Sequence, residues 1–142
     1  MFIPYLNFDG TTEAAMRFYC DVFGGENLGL MKFGDFPGMS PPDLQDDAEA
    51  RARVVNASFT HAGGRLMASD YLPGWDAAPQ AGCAVSHFAA SRAEAERIFV
   101  ALSEGGTVGM PFGDVMWADG FGMVKDRFGT SWMIGGPETN AG

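Results

Sequence analysis

Few side chains in this chain have types and spacing that could do chemistry. His61 closes an apolar run at 54–61, beside the turn at 62–65, and His87 sits in a second run at 82–89 with the parity of Val85. Neither has a carboxylate at the spacing of a metal site or a triad. Cys20 falls inside a helical pattern and Cys83 opens a strand pattern. Two cysteines make no framework, and both read as small hydrophobes. Asp70 and Asp119 fall at the ends of predicted strands, where a carboxylate could serve as a general base. Capping or turn duty suits such positions better. No residue is assigned a catalytic role.

The aromatic residues carry a stronger signal. Phe33, Phe112, Trp117, Phe121 and Trp132 are many for 142 residues. Alternation along strands sends about half of them into a core and leaves the rest to face a concave surface. Lined with Phe, Trp and Met, such a surface would bind a flat or apolar molecule, each good aromatic contact contributing roughly 1 kcal/mol. Nine methionines suit an adaptable pocket or interface.

The elements that must position these residues follow from periodicity. Residues 2–8 read as a strand, with Pro4 near its start. A helix is expected over 12–23, with Ala15, Phe18, Tyr19, Val22 and Phe23 at helical spacing and Gly24-Gly25 as its stop. Strands follow at 26–35, 54–61 and 66–69. Residues 36–50, crowded with Pro, Gly and acid, read as a mobile loop or flap, either plain connection or lid. A fifth strand spans 82–89. A second helix begins after Ser91, with Glu94 completing a capping box, and buries Ala95, Ile98, Phe99 and Leu102. Residues 107–112 and 115–119 read as strands. Residues 120–125 and 131–134 form a closing hairpin around an Asp-Arg-Phe-Gly turn.

The totals bound the class. One domain is expected over 1–142, long enough for its own core. Eighteen acidic and nine basic residues give a formal charge of −9, which argues against nucleic acid and anionic membrane as partners. No signal peptide or transmembrane helix is expected, hence a cytoplasmic location.

The chain repeats itself. Displaced by 80, residues 8–19 lie over 88–99 and Gly25 over Gly105; later, 59–69 lie over 124–134, with Gly64 over Gly129. Modules at 1–75 and 80–136 each read strand, helix, three strands. The expected fold is α+β: two βαβββ repeats forming a cupped, mixed eight-stranded sheet with helices outside. The cup is the natural ligand site.

The opening Tyr-Leu-Asn-Phe-Asp-Gly at 5–10, Met-Ala-Ser-Asp at 67–70, and the pattern Trp-Ala-x-Gly-Phe-Gly-x-Val-x-Asp-x-Phe-Gly-x-x-Trp-x-Ile at 117–134 resemble the PhnB-like family. That family belongs to the vicinal oxygen chelate superfamily, with glyoxalase I, bleomycin-resistance proteins and extradiol dioxygenases. Its frequent methyltransferase label finds no support here, since no Gly-rich nucleotide loop follows a strand.

The resemblance implies, for metal-dependent members, one divalent ion held by His, Gln or Glu from strands one, four, five and eight. Carried onto this chain, the eighth-strand position is Met133. Its strand-four mate is Ala68, give or take one residue; the others fall in 3–5 and 83–85. None of these windows contains His, Gln, Glu or Asp. A hard cation needs oxygen or nitrogen donors, so no metal and no cofactor is expected. The expected function is binding of a small, partly apolar molecule in a metal-free pocket lined from Tyr5, Phe33, Met67, His87, Phe112, Trp117, Phe121 and Met133. The alternative is a glyoxalase- or dioxygenase-type enzyme with a metal on unusual ligands such as Tyr5, His87 or Asp70. A purely structural dimer is a third reading. Homodimerisation is implied by resemblance alone.

Overall fold

Apolar residues alternate with small or polar ones at 54–61 and 64–70, and a strand with one buried face follows from that period. In the computed structural model, which describes residues 1–139, these are β3 and β4 of a four-stranded sheet. The chain divides into two compact units, Met1–Pro79 and the part from Gln80 onward.

The first unit holds β1 (Tyr5–Phe8), α1 (Thr12–Phe23), β2 (Glu26–Lys32), α2 (Ala48–Ala52), β3 (Val54–His61) and β4 (Gly64–Asp70). Its sheet runs β1-β4-β3-β2; β1 pairs β4 in parallel and the other pairs are antiparallel. Leu6, Phe8, Ala57, Phe59, Leu66 and Ala68 form the buried face. Met16, Tyr19, Val22 and Phe23 are the large buried side chains of α1, beside Thr12 and Ala15, each large one worth roughly 1.5–3 kcal/mol of burial. α1 ends where Gly24 takes φ 68°, a left-handed cap suited to glycine.

The second unit repeats the order: β5 (Val85–Phe88), α3 (Arg92–Ser103), β6 (Thr107–Gly113), β7 (Phe121–Lys125) and β8 (Ser131–Gly135), with sheet order β5-β8-β7-β6. Again the first strand pairs the last in parallel. Trp132, Ile134 and Val124 are buried, as are Ala95, Ile98, Phe99 and Leu102 of α3. Ser91 caps α3 through its hydroxyl, which accepts from Glu94 N at 3.2 Å, as the capping pattern predicts. Eight strands in two mixed sheets, with helices, bear out the α+β βαβββ reading.

Several boundaries differ from expectation. The first strand begins at Tyr5, not residue 2. Pro4 has no N–H for a ladder, and only its carbonyl engages, accepting from Met67 N at 3.1 Å. The fifth strand begins at Val85, because Gly82 at φ 73° turns the chain before it. The expected strand at 115–119 is not a strand. It makes one isolated bridge, Ala118 to Glu138, and Asp119 N donates to Pro137 O outside either sheet. The closing hairpin does not end its sheet; β8 lies between β5 and β7.

Residues 36–50 carry short helical elements within the expected loop. They hold two 3-10 turns, Pro37–Met39 and Pro42–Leu44, then the start of α2. Asp47 caps α2, accepting from Ala50 N at 2.8 Å. Phe33, Ala50 and Leu72 form a small core of their own, with Leu44 and Val55 against it. Burying those groups offsets the ordering entropy of a Pro- and Gly-rich stretch. Arg53 ties the segment down, donating to Asp9 at 2.7 Å, Glu49 at 2.9 Å and the Tyr71 carbonyl at 3.1 Å. The last three positions of the expected 1–142 domain lie outside the described residues.

Candidate functional site

Strand alternation sorts the candidate residues by sheet face. On the first sheet, the face turned from the buried core carries Tyr5, Asn7, Met67 and Ser69. Tyr5 stands beside Met67 in register, and the Ser69 hydroxyl reaches Asn7 Oδ1 at 3.5 Å. Ala68, the centre of the strand-four window, points to the core at 0% exposure. Met67 and Ser69 are therefore the open-face neighbours of that window. Phe33 lies elsewhere, in the small core under α2.

On the second sheet the open face is more apolar. Met133 pairs with Met123, and Met123 with Met110, so three methionines lie in a transverse row across β6, β7 and β8. All three are half-buried. Ser86 stands beyond Met133 on β5. Next to the row, Phe121 pairs with Gly135, and a Cβ on Gly135 would meet the Phe88 ring at 2.8 Å and Phe121 at 3.3 Å. The missing side chain lets the two aromatics close over the strand. Trp117 packs edge-on against Phe121, centroids 5.3 Å apart, and keeps 48% exposure. Tyr5 with Met67, and Trp117 with Phe121, are thus brought together within their own units.

His87 and Phe112 are placed otherwise. His87 registers with Ile134, so it points to the side that carries Trp132 and Ile134, not to the methionine row. Phe112 packs on Phe99 of α3 at 5.7 Å, with the Arg92 guanidinium 5.8 Å from its centroid. Residues that spacing did not single out are Met110, Met123 and Phe88. The parity of Met123 with Phe121 was the available signal; the irregular pairing around Met110 hid the third.

Of the two aspartates considered as bases, Asp70 serves mainly the backbone and Asp119 an arginine side chain. Asp70 Oδ1 accepts from Gly10 N, Thr12 N and the Thr12 hydroxyl, and Oδ2 from Val54 N. Asp119 pairs with Arg92 at 3.4 Å, which also meets Asp114 at 2.8 Å; the hydrogen bonds that Arg92 donates to Asp114 and Asp119 raise its already high pKa. Burial raises the Cys20 thiol pKa, and Asp21 adds to the effect.

The donor set does not fit the divalent ion of metal-dependent relatives. The family positions present Met133 and, within one residue of their expected places, Tyr5 with Met67 and Ser86: thioethers, a phenol and an alcohol. Among the described residues no group of three or more His, Cys, Asp or Glu could hold a metal ion. Asp70, offered as an unusual ligand, is on the buried face of the first sheet, opposite Tyr5.

A family model described as Glyoxalase/Bleomycin resistance protein/Dioxygenase superfamily matches residues 4–134. The chain belongs to that superfamily. Within the glyoxalase superfamily it is 32% identical over 136 residues to the protein YjdN of Escherichia coli, covering 92% of this chain and 91% of YjdN. Among solved structures, Pseudomonas aeruginosa PA1353 aligns with TM-score 0.84 and 38% identity over 96% of this chain and 97% of its own. The PhnB protein from Bacillus cereus aligns with TM-score 0.75 and 22% identity, covering 95% and 98%, a likeness of fold. The PhnB-like resemblance is thereby borne out.

Proposed function

We propose that this glyoxalase-superfamily chain binds a small, partly apolar molecule on the methionine- and aromatic-lined face of its second sheet, without a hard divalent ion. The observation that carries the reading is the row Met110, Met123 and Met133 beside Phe121 and Phe88, a face that offers dispersion and sulfur–aromatic contacts. Ligand sites are mostly apolar with few polar groups, and Ser86 at the end of the row is such a group. Tyr5 and Met67 on the first sheet remain candidates for the same role. The family model runs unbroken over 4–134, which supports treating both modules as one functional domain. The resemblance supports a homodimer, checked by light scattering; the cytoplasmic location expected from the sequence is checked by cell fractionation. No helix among the described residues is long and apolar enough to cross a membrane.

The test is a melting-temperature screen of the full chain against planar aromatic and aliphatic compounds, since a ligand for the native state raises the transition. A hit that weakens in Met133→Lys and Phe121→Ser supports the reading. No hit, or hits indifferent to both changes, overturns it. Elemental analysis after incubation with Mn(II), Ni(II) and Zn(II) addresses the metal. A stoichiometric ion would replace this reading with a metal-dependent enzyme.

A further inference from the structure

We propose that Met110, Met123 and Met133 form a thioether site for a soft monovalent d10 cation of the Cu(I) type. The residues that make the face useless to a hard ion are the ones a soft ion prefers, because polarisable sulfur matches a polarisable acceptor.

Met123 registers with Met110 on one side and Met133 on the other. Directly opposed residues on neighbouring antiparallel strands place their Cβ atoms roughly 4.5–5.5 Å apart. Three torsions per methionine let the flanking sulfurs swing toward the central one. The β6–β7 ladder shifts register on both sides of the Met110–Met123 pair, the kind of irregularity that re-aims a side chain. Along β7, Phe121 lies to one side of the row and Lys125 to the other. Phe121 is 6% exposed and limits water there. Lys125 is exposed, so its ammonium can extend into solvent, away from a bound cation. All three methionines are half-buried, enough to exclude competing water and still admit an ion.

Thioether ligation has a pH signature. Thiolate and imidazole ligands must lose a proton before they bind a metal, whereas a thioether carries none. A site built from these sulfurs therefore keeps its ion at about pH 5, where imidazole and thiol ligands in general are held back by their protons. The inference goes beyond the organic-ligand reading and does not rest on it: leucine at the three positions keeps the face apolar.

The experiment uses the full chain and Ag(I) as the probe, a d10 ion that does not change oxidation state in air. Titration in chloride-free buffer at about pH 5 is followed by calorimetry and native mass spectrometry. One ion per chain is expected. Met110→Leu, Met123→Leu and Met133→Leu, each conserving volume, should each weaken binding by about tenfold or more, while Met116→Leu, outside the row and 88% exposed, should leave it unchanged. Absence of saturable binding overturns the proposal. So does an affinity indifferent to the three leucine changes, or one lost in Cys83→Ser instead. Circular dichroism confirms folding; should Met123→Leu misfold, the flanking pair of variants decides.

Discussion

Asp70 Oδ1 accepts a 2.7 Å hydrogen bond from the Thr12 hydroxyl, across 58 positions of sequence. The carboxylate at the end of β4 thereby caps the start of α1, a duty that Thr11 does not perform with its own side chain. It also accepts from Gly10 N, Thr12 N and Val54 N, so one buried side chain joins the β1–α1 turn to β3 and β4. Replacing Asp70 with Ala strands these donors. The expected loss is about 3 kcal/mol of unfolding free energy, read by urea denaturation, with Thr12→Val costing about 1 kcal/mol.

Asp126 is a buried carboxylate of the second unit that holds the turn between β7 and β8. It is 4% exposed; Oδ1 accepts from Phe128 N and Thr130 N, and Oδ2 from the Trp132 indole N–H at 2.8 Å. Asp126→Ala removes the acceptor of the indole N–H bond. A loss of about 2 kcal/mol is expected, with an altered Trp132 emission spectrum as the site-specific sign.

Gly122 is required by packing. A Cβ there would stand 2.6 Å from the Phe99 ring and 3.0 Å from the Phe112 backbone. Gly122→Ala therefore forces α3 away from β7, at a cost of about 1–3 kcal/mol. Thermal unfolding measures it, and Phe99→Leu in the same background should recover part of the loss.

The two thiols should differ in reactivity. Desolvation raises the Cys20 pKa, which lowers the fraction of reactive thiolate, whereas Cys83 is exposed. Iodoacetamide at neutral pH should label Cys83 first, as peptide mass spectrometry would show. Equal labelling rates would contradict the desolvation of the Cys20 thiol.

The Glu13 carboxyl titrates below its ordinary value, held there first by the hydrogen bond from Lys32 and then by Arg17. A depressed folded-state pKa stabilises above the unfolded value and loses that contribution as pH falls through the folded one. The effect belongs below about pH 4.3. With 35% of the side chain exposed it is small, about 0.2–1 kcal/mol. Glu13→Gln should flatten the acid limb of a stability–pH curve by that amount.

Much of the architecture was legible in the residues. Helical spacing in 12–23 and the Ser91–Glu94 cap depend on contacts within one or two turns, and the internal repeat shows both modules building the same unit. The strand at 115–119 was misread because its pattern is local while its backbone partners, Pro137 and Glu138, are not. The contacts that the 36–50 segment makes with Phe33, Val55 and Leu72 were hidden for a similar reason, since those residues lie outside it. The side of the sheet that His87 faces, and the neighbours of Met133, depend on register between strands distant in sequence. A shift of one residue would exchange the two faces. Periodicity says that a strand has two sides; only pairing decides which side chains share one, and here it set three methionines abreast.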